Sequence, residues 1–540
     1  MNKFITFSLL ICLLAAFTFQ SCSKKKSMSD ANLKHIPSNA VQVATMNLAN
    51  LYAKSDWNTL YQKMKTGELL ADIPVEIQTI LENPAETGID MNGYLTYFTV
   101  PSAEFPQMSI IALMNIGDMK KFETTIKDLG KPQSKQNYTM INADEEFILA
   151  WDKNIVAFCV LVEDFSPSLD LMLVDIFNGP KSNITLVDNF NKHYITGKDL
   201  SYYQCYDSLF ALFLTQPGVS GQVKVFMPML GLTEDMFYNN VITSFGEFEN
   251  GRFYGENILN FNTALVKKFG SIFNNKLTKD YSQYISPNSG AGTSIALNIA
   301  ELDKLIRETI KTAGPIAAMG ASAVLETPEY AALTKGLNGD ILVTYNAEKP
   351  DFNYNVILGL NDLTAAKTFL LGENLNANKI KKVNENEYQV AEFGYISYIY
   401  FLNDVVIISN NEETFRSMIA GNNSNIDKAL VSNLNSGVWN LYISEKTFQS
   451  IVANTKTEQD VKLTKALQLI SKVEINTIAN KTIADLSFHD KSKNSLSILL
   501  NMIVDAAIEA KKSGYSDDDY MPMYDDEYFE EDEMKNNTTL

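Results

Sequence analysis

The sequence predicts an α+β fold made of two tandem related modules, each a mostly antiparallel sheet with packed helices. The chain has 540 residues, of which 46% are hydrophobic and 20% charged, a globular composition that is too long for one ordinary core. Short runs rich in β-branched and aromatic residues alternate with segments of helical spacing. The order of these runs returns about 250 residues later, which is typical of an internal repeat.

The first module begins with a strand, because Val41, Val43 and Thr45 alternate with the residues between them. Helical spacing then covers residues 51–64, and two runs at 93–100 and 108–115 are predicted to pair as strands. Asp118 is predicted to cap a helix over residues 119–129. Three further strands are predicted at residues 138–141, 146–151 and 155–160.

Matching segments recur in the second half at a nearly constant spacing. Residues 46–51 (MNLANL) align with residues 297–302 (LNIAEL), an offset of 251. Residues 153–156 align with 403–406, an offset of 250. We therefore predict a tandem duplication of one α+β module.

The repeat sets the expected domain boundaries. We predict a first module over residues 31–280 and a second over 281–512, each holding its own hydrophobic core. The modules end alike, with aromatic strands at 200–206 and 438–443 followed by further strands and helices. The last helix has apolar residues at helical spacing between Leu496 and Ile508, but it is too short and polar to span a membrane.

The N-terminus has the pattern of a bacterial lipoprotein signal. Lys3 precedes an apolar run over residues 4–19, and Ser21-Cys22 follows it. We predict a signal peptide over residues 1–21, lipidation of Cys22 by acyl chains such as palmitate, and a polar tether over 22–30. The alternatives are an ordinary secretory signal cut nearby, or a membrane-spanning helix, for which an apolar run of about 16 residues is short.

Charge is strongly negative and concentrated at the C-terminus. The 45 basic and 64 acidic residues give a net charge of −19, which disfavours a nucleic-acid partner. Residues 513–540 hold ten acidic residues and one lysine without apolar periodicity, so we predict a disordered acidic tail. The tail is either a solvating end or a recognition segment, in which aromatic residues would contact an envelope partner. These candidate partner-binding residues are Tyr515, Tyr520, Tyr524, Tyr528 and Phe529.

No pattern in the sequence indicates catalysis. The three histidines, His35, His193 and His489, are far apart, and the spacings of zinc sites are missing. The glycine-rich stretch 290–294 precedes a strand, unlike a phosphate-binding loop, and is predicted to be a turn. We therefore predict no catalytic residue, no metal ligand and no cofactor.

Two features leave alternatives open. Cys159 and Cys205 are either bridged, which export would permit, or two buried thiols on separate strands. Residues 316–325 are uncharged and rich in small side chains. They form either a tightly packed core helix or an apolar surface where a lipid, peptide or partner helix docks.

The chain resembles an uncharacterised family of Bacteroidetes lipoproteins, known as a domain of unknown function of similar length. The residues that carry the resemblance are Ser21-Cys22-Ser23, Ile36-Pro37 before the first strand, and the segment 46–51. The resemblance implies a location in the cell envelope and brings no catalytic residues.

These observations favour a lipid-anchored cell-envelope protein with a binding or structural role and no enzymatic activity. The alternatives are a hydrolase of envelope polymers, whose residues converge only in the folded chain, and a carrier of an apolar ligand. The expected partners are the membrane, through the lipid anchor, and an envelope protein. We expect the outer membrane, with the periplasmic side favoured over the surface, because Lys24, Lys25 and Lys26 replace the acidic residues that favour surface export.

Overall fold

The computed structural model describes most of the chain between residues 32 and 512. The described ranges are 32–71, 73, 75–101, 108–143, 147–160, 167–215, 219–229, 231–312, 321–346, 353–372, 380–392, 395–421, 425–454 and 467–512. The predicted signal peptide, the tether with Cys22 and the tail 513–540 lie outside these residues.

The first half contains ten strands and nine α-helices among the described residues. The strands are β1 (Gln42–Asn47), β2 (Tyr94–Pro101), β3 (Met108–Asn115), β4 (Gln133–Ser134), β5 (Thr139–Ala143), β6 (Phe147–Trp151), β7 (Ile155–Val160), β8 (Leu200–Cys205), β9 (Val241–Glu249) and β10 (Arg252–Asn260). The helices are α1 (Leu48–Ser55), α2 (Trp57–Thr66), α3 (Val75–Glu82), α4 (Met119–Ile126), α5 (Pro167–Asn178), α6 (Asp188–His193), α7 (Asp207–Thr215), α8 (Val219–Met229) and α9 (Thr263–Phe269).

The second half contains ten strands and seven α-helices within its described ranges. The strands are β11 (Ser289–Ala296), β12 (Leu337–Asn346), β13 (Tyr354–Leu360), β14 (Ile380–Lys382), β15 (Glu387–Glu392), β16 (Tyr395–Phe401), β17 (Val405–Ser409), β18 (Trp439–Ser444), β19 (Ile470–Ile478) and β20 (Lys481–Phe488). The helices are α10 (Ile299–Thr312), α11 (Pro328–Gly336), α12 (Leu363–Leu371), α13 (Glu412–Ile419), α14 (Lys428–Leu434), α15 (Glu445–Asn454) and α16 (Ser495–Lys512).

Both halves have the same strand order, and every pairing is antiparallel. In the first half the strands pair in the order β7-β3-β2-β1-β8-β9-β10. In the second half the order is β17-β13-β12-β11-β18-β19-β20. Strands β4–β6 extend the sheet beyond β7, as β14–β16 extend it beyond β17. The predicted α+β fold of two tandem related modules is confirmed.

The two halves join edge to edge in one sheet. Strand β10 pairs antiparallel with β20, from Arg252 opposite Ser487 to Ile258 opposite Lys481. We call this β10–β20 pairing the seam. Two ion pairs cross it, one with its cation on β10 and the other with its cation on β20. Arg252 Nη2 lies 2.7 Å from Asp485 Oδ2, and Lys481 Nζ lies 2.6 Å from Glu256 Oε1. Each strand thus places a cation at its first residue and an acid four residues later.

The C-terminal helix α16 packs on the first half and not only on its own half. One core cluster combines Trp57, Leu60 and Met64 of helix α2 with Val504 and Ile508 of α16. The expectation that each half holds its own separate core is therefore wrong for this helix. Sequence spacing showed that α16 is amphipathic, but it carried no information on which half would cover its apolar side.

Two local predictions also differ from the structure. Residues 51–64 form two helices instead of one, because Asp56 adopts a left-handed backbone with φ of 53° and ends α1 before α2 begins. Residues 290–294 lie in strand β11 and not in a turn. A Cβ at Gly292 would lie 3.1–3.3 Å from Val343 O and from the Leu434 and Leu430 side chains, so glycine allows the close approach of α14. Asp118 caps α4 as predicted, accepting from Lys120 N at 3.0 Å.

Candidate functional site

The second half buries polar side chains on one face of its sheet. This inner face packs on α13 and α14, and it holds Ser294, Thr344, Asn355 and Asn440, each at most 1% exposed. Asn440 Nδ2 donates to Ser294 Oγ at 3.0 Å and to Gly437 O at 3.0 Å. Because these polar groups are hydrogen-bonded to one another, their burial is tolerated.

The opposite, outer face of the same strands is apolar and only partly buried. Strand register places Ile475, Leu441, Thr293, Val343 and Val356 side by side across β19, β18, β11, β12 and β13. Residues directly opposite in an antiparallel ladder point to the same side. None of these five side chains is fully buried.

A second row of partly buried side chains lies beside the first, two residues further along each strand. It consists of Thr477, Trp439, Ile295, Ile341 and Leu358. Trp439 is 39% exposed. We call the two rows together the outer patch. Five strands spaced by about 4.8 Å make it roughly 20 Å wide, which is the scale of a protein interaction site.

Helix α15 contacts β11, β18 and β19, and Leu358 packs against the core cluster that includes Ala366 of α12. The rest of the outer patch is only partly buried, because different helices cover the outer faces of the two halves. In the first half, the 18-residue helix α16 packs on the apolar sides of α1 and α2. Helix α9 follows the hairpin β9–β10, just as α16 follows the hairpin β19–β20. It has only 7 residues and no buried side chain, so it gives the second half no equivalent cover. Helix α10, the counterpart of α1, contacts β12 and likewise has no fully buried residue, although Leu302, Leu305 and Ile306 are apolar.

Comparison of the two copies would have indicated this site from sequence. At the positions equivalent to Trp439, Leu441 and Val343 the first half has Tyr202, Gln204 and Thr99 (registers of β8, β1 and β2). Its outer face is therefore more polar, and Tyr202 OH donates to Gln204 Oε1 at 2.9 Å. The apolar character of the patch is specific to the second copy.

Two buried carboxylates hold the fold together. Asp199 accepts from Phe248 N at 2.7 Å and from Asn50 Nδ2 at 3.0 Å, and it forms an ion pair with Lys54. Asp340 accepts from Thr278 N and Tyr281 OH, both at 2.8 Å. These contacts tie helix α1 and the segment before β11 to the sheet.

The third buried carboxylate, Glu387, is paired with a cation. Arg416 Nη2 lies 2.6 Å from Glu387 Oε1, and Asn384 Nδ2 donates to Glu387 Oε2 at 3.1 Å. The Arg416 guanidinium lowers the pKa of Glu387 against the opposing effect of burial. Each of the three buried acids thus has a structural role in the described part of the chain.

The histidines do not come together. His35 Nδ1 lies 2.7 Å from Ile176 O, and His489 Nε2 lies 3.7 Å from Glu445 Oε1. Burial, with a smaller contribution from Lys192, lowers the pKa of His193. No group of three or more metal-ligating side chains occurs among the described residues.

Cys159 and Cys205 are free thiols in the core of the first half. Burial raises the pKa of Cys159 to about 12 and that of Cys205 to about 11, so both are protonated at neutral pH. Of the two alternatives for these residues, two buried thiols are found. The predicted lipidation residue Cys22 and the five aromatic residues of the tail lie outside the described residues.

Only the end of the small-residue stretch 316–325 is described. There Leu325 is buried, whereas Val324 is 59% exposed. No described helix is both long and apolar enough to cross a membrane.

Comparisons with known proteins identify a family match for one segment. Residues 33–163 match a domain of unknown function, DUF4836. This segment contains β1–β7 of the first half and does not include the outer patch. None of the curated proteins is significantly similar to the chain.

Among solved structures, crystal forms I and III of TP0453 are similar at 9% identity. The alignments cover 46% of this chain and 89% and 88% of those chains, with TM-scores of 0.25 and 0.26.

Proposed function

We propose that the chain is a lipid-anchored cell-envelope protein that binds an amphipathic helix of a partner protein on the outer patch. One observation carries the proposal: the second half buries hydrogen-bonded polar side chains on its inner face and leaves two largely apolar rows only partly buried on its outer face, with Trp439 39% exposed. Apolar area that remains in water costs free energy, about 25 cal/mol per Å², which a partner would recover.

The kind of partner follows from what covers the neighbouring strands of this face. Leu496 and Leu499 of α16 pack on Phe248 and Phe253 at the seam, and Leu499 also packs near Val473. An amphipathic helix therefore already lies on the outer face beside the patch. The two rows are about 6.8 Å apart, so one helix about 10 Å wide contacts both of them. A carrier of a single apolar chain would need only one row.

The anchor is proposed from the Ser21-Cys22 junction, with Cys22 acylated and residues 22–30 as the tether. Cys22→Ala is expected to leave the protein soluble in the periplasm or held as the uncut precursor. Fractionation of cells with a salt wash measures this. A Cys22→Ala protein that still sediments with the outer membrane would show that another segment anchors the chain.

The acidic tail is proposed as a second contact with the partner. Tyr515, Tyr520, Tyr524, Tyr528 and Phe529 would supply apolar contacts, while the ten acidic residues would steer a basic partner. Truncation after Ser513 is expected to leave the melting temperature unchanged and to weaken partner binding in a salt-dependent way. A melting temperature lowered by the truncation would instead place the tail on the folded part of the chain.

The outer patch can be tested with Trp439 as a natural probe. The other two tryptophans, Trp57 and Trp151, are 2% and 4% exposed, so a change in the exposed tryptophan signal reports on the patch. The probe ligand is a synthetic peptide with the sequence of residues 495–512, the amphipathic helix that covers the adjacent strands. We expect a saturable blue shift of the tryptophan emission as the peptide is added.

Two variants decide where the peptide binds. Leu441→Gln places a polar side chain in the centre of the patch and is expected to weaken binding about tenfold, since roughly half of a leucine's burial energy is lost. Val75→Gln makes a comparable apolar-to-glutamine change at a 70% exposed site in the first half and should leave binding unchanged. Equal affinities for both variants, or no saturable shift, would overturn the proposed site.

A further inference from the structure

The first described residues pack with three other elements and form one surface of the first half. The four elements of this surface are two single 3₁₀ turns, Leu33–His35 and Ile184–Leu186, and helices α5 and α6. Ile184 N donates to Ile36 O at 2.9 Å, and Ser38 N donates to Ser182 O at 3.0 Å, so the first turn is fixed against the rest. We call this surface the N-terminal face.

The N-terminal face combines exposed cations with exposed apolar side chains. Lys34, Lys181 and Lys192 are exposed, and none of them lies within ion-pair distance of a described carboxylate. Leu171 and Leu186 are 69% and 64% exposed. Helices α5 and α6 also carry Asp170, Asp175 and Asp188. Asp170 lies 3.6 Å from Lys135, which leaves the two exposed acids Asp175 and Asp188 against the three lysines, in a chain whose net charge is −19.

A cleft of about 320 Å³ opens beside Lys34 on this face. Phe190 and Tyr194 stack in it with ring centroids 4.5 Å apart. Thr185 and Asn191 supply polar groups near Lys34 in the same lining. The Thr185 hydroxyl donates to Asn183 Oδ1 and Asn191 Nδ2 donates to Thr185 O, both at 2.6 Å, so the Lys34 ammonium is the main donor for a ligand here. An ammonium group suits a phosphate, which accepts hydrogen bonds and carries negative charge.

The number of residues after Cys22 limits how far this face can lie from the membrane. Ten residues, 23–32, separate Cys22 from Leu33, and an extended chain of that length spans at most about 33–36 Å. The tether itself carries Lys24, Lys25 and Lys26. If the chain is held at Cys22, the N-terminal face is the surface that the tether brings to the bilayer.

We propose that the N-terminal face docks on a membrane surface that contains anionic phospholipids. Leu171 and Leu186 enter the interfacial region, while Lys34, Lys181 and Lys192 lie at the phosphates. This inference rests on the proposed lipid anchor. It goes beyond the anchor because it fixes the orientation of the folded part, with the outer patch as a separate surface.

The test uses the acylated full-length protein with Leu186→Cys, labelled with an environment-sensitive fluorophore. The native thiols Cys159 and Cys205 are buried and protonated, and Cys22 would be blocked by acylation, so the label is specific. The protein is reconstituted on vesicles of phosphatidylcholine alone or of phosphatidylcholine with phosphatidylglycerol. The matched control carries the label at Val75→Cys, an exposed apolar position on helix α3.

We expect the label at position 186 to shift to the blue on vesicles with phosphatidylglycerol and to be quenched by nitroxide lipids. The label at position 75 should stay in water. Combined Lys34→Gln, Lys181→Gln and Lys192→Gln substitutions should weaken docking about a hundredfold, since each lysine contributes about fivefold near an anionic surface. High salt should weaken it in the same direction.

The outcomes separate this inference from the anchor. If the acylated protein sediments with vesicles but the label at position 186 behaves like the one at position 75, the docking face is wrong and the anchor stands. If the protein is not acylated and stays in the supernatant, the anchor is wrong and the inference is overturned with it.

Discussion

The contact between Gly67 and Ile508 links the first half to the last helix of the second. Gly67 follows α2 with φ of −84°, a conformation that any residue adopts. A Cβ on Gly67 would lie 2.4 Å from Cγ1 and Cδ1 of Ile508, which is far inside van der Waals contact. Gly67→Ala therefore tests whether α16 packs where the fold places it.

The magnitudes follow from packing. Gly67→Ala overpacks the interface by about 1–3 kcal/mol, offset by about 0.4–1 kcal/mol because alanine reduces the entropy of the unfolded chain. Ile508→Ala should cost about 2 kcal/mol, the lower end for a buried isoleucine, since Ile508 is 9% exposed near a helix end. In the Ile508→Ala background the clash is gone, so Gly67→Ala should become neutral or stabilising.

The assay is urea unfolding of the four proteins of this cycle, followed by circular dichroism and by the fluorescence of the nearby Trp57. Gly221→Ala is the control, because a Cβ at Gly221 would have no atom within 4 Å and only the helix-propensity gain of about 0.5–1 kcal/mol should appear. Additive effects of Gly67→Ala and Ile508→Ala would refute the packing of α16 on α2.

Three further predictions concern charge and thiol chemistry. Because Arg416 lowers the pKa of Glu387, the pair stabilises the fold above the ordinary glutamate value of 4.5 and this contribution is lost as pH falls through the lower folded pKa. Glu387→Gln should thus destabilise at pH 7, and its deficit should shrink in unfolding curves below pH 4.5. Arg252→Glu should destabilise by about 1 kcal/mol and be partly rescued by Asp485→Arg, whereas rescue failing in thermal melts would contradict the seam pairing. The two buried cysteines should resist maleimide in the native protein and react after unfolding; reaction without unfolding would contradict their burial.

Local features of the fold were predictable because they depend on neighbours in the chain. Alternation around Val43 predicted β1, and Asp118 before an apolar run predicted the cap of α4. The repeat was visible as a constant offset, because strand order and hydrophobic period are both written along the chain. The break at Asp56 was not predicted, since a left-handed aspartate inside a helical pattern has no strong local signal.

Long-range features required the structure. The β10–β20 seam depends on the pairing of two edge strands more than 220 residues apart in the chain, which periodicity does not specify. The packing of α16 on the first half depends on which surfaces remain after all other elements have packed, and so does the outer patch. Leu441 and Val343 are residue types that are common in core strands. The polar counterparts Gln204 and Thr99 in the first copy are a sequence signal, but the register beside Trp439 is needed to show that the two residues lie in a partly buried row.

We expect the outer patch to be accessible at Trp439 in the isolated protein and covered by a partner in the envelope. The most direct measurement is the maleimide labelling rate of Trp439→Cys in the purified protein and in intact envelopes, with Val75→Cys as the control. Trp439 is 39% exposed and Val75 is 70% exposed, so both cysteines should react in the purified protein. We expect Trp439→Cys to react much more slowly in envelopes while Val75→Cys keeps its rate. Equal rates for Trp439→Cys in both preparations would contradict a partner on the patch.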